Sequence, residues 1–187
     1  MGYFVMACYG EEDLSAALGE TPDLNQAPWY SGRPVNATFP TPLVYTVNPR
    51  RPGSLCALYA AEEYPLMRDD LIEALRAAGV DNLQLFPAVI RDPRTGLEHK
   101  NYQAFNIIGV VAAADMNKSV LMGISDSTMI DVNFERLALD EDKAAPFLLF
   151  RLGENVGTII VSDVVRDEVQ RRGIEGMNFL PPENYSG

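Results

Sequence analysis

The chain has 187 residues, 47% of them hydrophobic and 22% charged, and 26 acidic residues against 15 basic ones give a net charge of −11. This is close to the average for soluble globular proteins, and no segment approaches the roughly 18 consecutive apolar residues that a membrane helix needs. The acidic balance disfavours nucleic acid and anionic membranes, whose phosphates call for clustered Lys and Arg, and favours fast encounter with a basic partner.

The length fits one domain, residues 1–187, made of a Pro-rich N-terminal portion (1–60) and a core (61–187). Residues 3 to 9 read as a first strand. The segment is apolar but short, has no Lys or Arg before it, and runs into Glu11, Glu12 and Asp13, a charge order opposite to that of a secretory signal. A cytoplasmic protein is expected. Prolines at 22, 28, 34, 40, 42, 49 and 52 then forbid long helices and central strands up to residue 60, leaving turns, extended segments and an edge strand around Val44 to Val47. Cys8 and Cys56 are too few for a disulfide framework, and apolar neighbours mark them as packed thiols rather than a bridge or a reactive site.

From residue 69 the periodicity sharpens. Asp69 or Asp70 can cap a helix whose Leu71, Leu75 and Ala78 share a face; Gly79 stops it, and Leu83, Leu85 and Pro87 alternate as in a strand. The same layout returns 94 residues later, where Ser162 and Asp163 open a helix with Val165 and Val169, Gly173 ends it, and Met177, Phe179 and Pro181 follow. An internal helix–Gly–strand–Pro repeat is expected. Between the copies, Tyr102 to Val111 reads as one long strand covered on both faces, and Met129 to Leu139 alternates apolar and polar positions. Pro146 to Leu152 and Thr158 to Val161 flank a tight hairpin connection with two glycines. The expected class is α+β: a mostly antiparallel sheet with a few helices packed on it.

Chemistry is sparse. His99, the single histidine, lies in a loop-like stretch, and neither a paired-His or Cys-x-x-Cys metal pattern nor a nucleophile elbow accompanies it. Phosphate-cradling glycine motifs are missing too, and the glycines sit singly at turns. No cofactor and no metal are implied. Twenty-six acids always allow a carboxylate pair, but nothing selects two of them. Trp29, beside Tyr30 in the Pro-rich portion, is either a partner anchor or a pin holding that segment to the core.

The strings Pro146-Phe147-Leu148-Leu149-Phe150-Arg151-Leu152, Thr158-Ile159-Ile160-Val161-Ser162 and Gly173-Ile174-Glu175-Gly176-Met177-Asn178-Phe179 together resemble a signature of bacterial immunity proteins. These belong to polymorphic-toxin and contact-delivered effector systems. Pro87-Ala88-Val89-Ile90, Tyr102 to Val111 and Asp115 are similar to the same family's middle region, so the likeness spans about residues 65 to 181. It implies a non-catalytic protein that binds and neutralises a cognate toxin, and it brings no catalytic residues. A nuclease or deaminase toxin, which needs a positive groove for nucleic acid, would suit an acidic inhibitor. The expected contacts are Glu11, Glu12, Asp13, Trp29, Asp126, Asp140, Glu141 and Asp142. The alternatives are a ligand-binding or scaffold module and, behind it, a carboxylate-dependent enzyme. The toxin's identity and the chain's oligomeric state stay open.

Overall fold

The computed structural model describes residues 2–8, 15–24, 29–122 and 132–186. Within them the chain is α+β with mostly antiparallel sheets. The first sheet, in spatial order, holds β12 (Met177–Leu180), β1 (Tyr3–Cys8), β11 (Asn155–Ser162), β10 (Leu149–Leu152) and β7 (Val110–Val111). The second holds β2 (Leu43–Thr46), β5 (Leu83–Arg91), β6 (Glu98–Ile107), β4 (Leu66–Arg68) and β3 (Leu58–Tyr59). A separate ribbon pairs β8 (Val120–Leu121) with β9 (Phe134–Arg136).

Side-chain parity along the strands divides the interior into three cores, because successive residues of a strand face opposite ways. On β6, Phe105 and Ile107 enter a middle core while Tyr102 and Ala104 enter a second one beneath the N-terminal portion. On β11, Ile159 and Val161 face the middle core and Ile160 a third, shared with Phe134, Leu137 and Ala144. Two nine-residue helices, α1 (Asp69–Ala77) and α3 (Asp163–Arg171), complete the middle core with Leu71, Leu75, Val165 and Val169. Each is followed by a glycine at positive φ, +96° at Gly79 and +64° at Gly173, as the stop positions require.

The start of α1 differs from expectation, whereas α3 opens at Ser162 and Asp163 as expected. The residues at the caps are Arg68 and Ser162, and neither caps with its side chain. Asp70 instead forks onto the Arg68 guanidinium at 2.8 Å, and the Asp163 carboxylate accepts the Gly2 backbone N–H at 2.9 Å. The acids therefore sit inside the first turn, where the helix dipole favours them.

The Tyr102–Val111 run is not one strand. It breaks at Ile108–Gly109, where Gly109 takes φ +114°, and β7 crosses to the first sheet as the parallel neighbour of β10. Of the Met129–Leu139 segment, residues 129–131 lie outside the described residues, and β9 occupies Phe134–Arg136. The hairpin is as expected, with Gly153-Glu154 joining β10 to β11. His99 lies on β6, opposite Ile90, and not in a loop.

The Pro-rich portion joins the second sheet through its edge strand β2, parallel to β5, and around Val35 side chains stand in for a strand. The Gln84 amide accepts from Val35 N–H at 2.8 Å and donates to Val35 C=O at 2.9 Å, so one glutamine satisfies both backbone groups of an extended residue. Buried Asn106 adds a bond to Arg33 C=O at 2.8 Å. Trp29, 2% exposed, fills the second core against Phe86, Tyr64 and Phe39, with ring centroids 5.0, 5.5 and 6.1 Å away. This corrects its assignment as a surface anchor: an indole so enclosed offers a partner no contact area.

Replacing Trp29 with Ala should cost about 3–5 kcal/mol, read as a lowered urea midpoint, because the site is walled by rings that cannot collapse inward. Alkali should act on the same core. Burial raises the phenols of Tyr45 and Tyr59, and pushes Tyr102 up to about 12. A folded pKa above the unfolded value means stability that is complete below pH ~10 and is lost as pH climbs through the folded values. The urea midpoint should fall between pH 9 and 12, and Tyr102→Phe should show a shallower fall; a midpoint flat to pH 12 would contradict this account.

Candidate functional site

A groove of about 650 Å³ lies where the start of β1 meets the segment after β9. Gly2, Tyr3 and Phe4 form one wall, Arg136 to Leu139 another, and Lys118, Glu141, Pro181, Pro182 and Glu183 complete the rim. Segments remote in sequence are brought together here by backbone pairing. Asp115 N–H donates to Ala138 C=O and Asp140 N–H to Ala113 C=O, each at 2.8 Å.

The four-residue helix α2 (Glu141–Ala144) carries the acidic run, and its three acids have different tasks. Asp140 caps the helix, accepting from Lys143 N–H at 3.4 Å, and its other oxygen meets the Lys143 ammonium at 3.4 Å. Glu141 and Asp142 are exposed. The helix is fastened from below, since Ala144 is buried and its carbonyl accepts the Tyr3 hydroxyl at 2.8 Å. Burial raises the Tyr3 phenol, and the charges of Asp163 and Glu141 add to the effect.

The cations of the groove also differ. Lys118 is paired with Asp115 at 2.6 Å, a contact that holds the carboxyl below its usual range and lifts the ammonium in turn. Arg136 is exposed and makes no ion pair among the described residues. It stands opposite Val120 in the β8–β9 ribbon, so the ribbon adjoins the groove. There Val120, Leu121 and Met122 are 37%, 41% and 51% exposed, three apolar residues in a row facing solvent. Scattered single exposures are ordinary; a contiguous run beside a charged groove is the composition of a docking face.

Of the expected contacts, Glu141 lines the groove, Asp142 is exposed next to it on α2, and Asp140 caps that helix. Glu11, Glu12, Asp13 and Asp126 lie outside the described residues. Arg136, Glu183 and the Val120–Met122 run were not among the expected contacts; only the last carries a signal in the sequence, three apolar residues in a row before a polar stretch.

A second cavity, of about 320 Å³, places His99 with Ser54 and Asp92 on its wall. No hydrogen bond links the imidazole to either, and the Asp92 carboxylate is taken by the Arg94 guanidinium at 3.0 Å. The three do not form a relay, which would need His99 bonded to both. Among the described residues no cluster of three His, Cys, Asp or Glu side chains could hold a metal ion, and no helix is long and apolar enough to cross a membrane.

A family model describing an immunity protein family, Imm11, matches residues 14–184. The chain belongs to that family. Membership gives this Imm11 protein a role in immunity to a toxin, in agreement with the resemblance carried by its strands β10 and β11. No curated protein matches the chain.

The division of labour among the acids can be checked without a partner. Asp140→Ala should lower stability by about 1 kcal/mol, the usual loss for a helix cap, whereas Glu141→Ala should leave the urea midpoint within about 0.5 kcal/mol of the parent.

Proposed function

We propose that this Imm11 protein neutralises its cognate toxin by binding it, without catalysis, in the cytoplasm of the producing cell. The contact face on this reading is the groove beside α2 together with the β8–β9 ribbon. The observation that carries it is the juxtaposition of an apolar run, Val120 to Met122, with two exposed acids of the groove, Glu141 and Glu183. Interfaces that hold tightly pair a desolvated apolar centre with a charged rim and bury about 1,600 Å² in total.

The net charge of −11 supports a basic partner, and a nuclease or deaminase toxin carries such a surface because it must attract nucleic acid. Glu11, Glu12, Asp13 and Asp126, which lie outside the described residues, add to the negative charge that would favour such a partner. The mechanism is occlusion: an acidic face covers the positive channel that the toxin's substrate would enter.

Co-expression with the product of the adjacent gene in a susceptible host tests the role. Rescue of growth and a co-purifying complex are expected; a lethal neighbour that is neither rescued nor bound discards that pairing, and a harmless one discards that neighbour as the toxin. With the complex in hand, Glu141→Lys combined with Glu183→Lys should slow association at least about tenfold at low salt and flatten its salt dependence, while Leu121→Asp should speed dissociation. If all three substitutions leave both rates unchanged, the contact face is elsewhere.

A further inference from the structure

Every open sheet has two edges whose backbone N–H and C=O groups face outward, and an unmatched edge accepts a further strand. Three edges of this fold are closed or cut short. Thr46 on β2 is bonded both ways, its C=O accepting Gly19 N–H at 2.8 Å and its N–H donating to Glu20 C=O at 3.0 Å. Beside β7, Gly109 N–H donates to Gly32 C=O at 2.8 Å, which lays the Pro-rich portion along that edge. β12 stops at Pro181 and Pro182, which have no N–H to offer.

β8 is different. Met122 N–H donates to Asn133 C=O at 2.8 Å, so residue 122 turns its hydrogen-bonding groups toward β9. Leu121, one residue earlier, stands opposite Phe134. Successive residues of an antiparallel strand alternate in this respect, so Leu121 turns its N–H and C=O away from β9. Among the described residues no strand lies on that side. The side chains agree: Val120 and Met122 fall on one face of the ribbon and Leu121 on the other, and all three are exposed. A strand open on both faces and along its outer edge offers a newcomer backbone bonds and apolar contact together.

We propose that the cognate toxin docks by strand addition. An extended segment of it pairs with the outer edge of β8, setting apolar residues against Val120, Leu121 and Met122 and a Lys or Arg at the end that reaches the groove. Charge complementarity selects this occupant. The start of β8 adjoins the groove, because Lys118 and Arg136, the residue opposite Val120, line it together with Glu141 and Glu183. A second copy of this chain would bring its own net charge of −11 to that place and be repelled, whereas a basic segment is drawn in. This inference rests on the toxin-binding reading and adds how the contact is made: the toxin is gripped by backbone as well as by side chains. A two-stranded ribbon is marginal by itself, so a third strand would also stiffen β8 and β9.

The test uses the full chain alone and in its co-purified complex with the product of the adjacent gene. Amide hydrogen exchange at Leu121 should slow at least about tenfold in the complex. Two variants then separate backbone from side chain: Leu121→Ala keeps the N–H and shortens the side chain, whereas Leu121→Pro removes the N–H as well. Dissociation should be at least about tenfold faster for the Pro variant than for the Ala variant. The urea midpoint of each free variant checks that the ribbon tolerates it, and the exchange measurement on the parent complex decides the matter where it does not. Leu121 exchange unchanged in the complex, or equal dissociation of two folded variants, would overturn strand addition while the complex itself upholds toxin binding. Protection of Leu121 that rises with the concentration of the chain alone would assign the edge to a second copy instead. Failure of any complex to form would overturn both readings.

Discussion

One buried cation joins the parts of this protein that sequence keeps furthest apart. Arg151 on β10 is 0% exposed and makes no ion pair among the described residues; its guanidinium lies 4.4 Å from the centre of the Tyr30 ring and 5.8 Å from that of Phe105 on β6. One nitrogen donates to the Val156 carbonyl at 2.8 Å, while Nε and the other terminal nitrogen have no hydrogen-bond partner. Taking such a group out of water costs several kcal/mol, and the desolvated rings return about 2 kcal/mol or more. Burial pushes its pKa down only to about 10, so the charge persists at neutral pH. The Tyr30 ring is in turn held by its hydroxyl, which donates to the carbonyls of Ala60 and Glu62. First sheet, second sheet and Pro-rich portion thus depend on one guanidinium, and moving any of them would leave a bare charge in the interior.

The same arrangement explains why the sheets are built from strands that are apolar on both sides. β6, β10 and β11 each send alternate residues to different cores, so a slip by one residue would exchange two whole sets of side chains. This pattern made the strands readable as apolar runs, and the 3.6-residue period with terminal glycines made α1 and α3 readable as helices. It also hid what periodicity cannot encode. Val110 and Val111 prolong the apolar run of β6, and only the backbone at Gly109 reveals that they belong to the other sheet. Trp29 stands in a segment without a period, so no face could be assigned to it. Arg151 is a lone cation in the apolar run Pro146 to Leu152, and only the structure shows that it is buried there.

The candidate site was less legible than the fold, for a related reason. Its walls come from residues 2–4, 118, 136–139, 141 and 181–183, and only tertiary pairing brings them together. The acidic run at 140–142 was visible as composition, but composition treats its members alike, while geometry assigns Asp140 to holding a helix and frees Glu141 and Asp142. The groove is also mounted on restrained parts: Tyr3 holds α2 through the Ala144 carbonyl, and Gly2 holds the start of α3 through Asp163. A face ordered before the partner arrives spares most of the entropy that ordering would otherwise cost on binding.

Within the proposed function, two charges act over two distances. The net −11 is felt beyond the roughly 8 Å screening length of physiological salt and draws in any basic protein, so it supports rate without choosing among partners. Choice has to come from a feature that a merely basic surface dislikes. Arg136 is such a feature, an exposed cation inside an acidic rim and without an ion pair among the described residues. A toxin surface that brings only Lys and Arg would set like charges together at contact, whereas one that places an acid among its bases would satisfy Arg136 and the rim at once. Within the proposed function, a toxin surface that sets an acid among its bases would therefore suit this face better than a purely basic one.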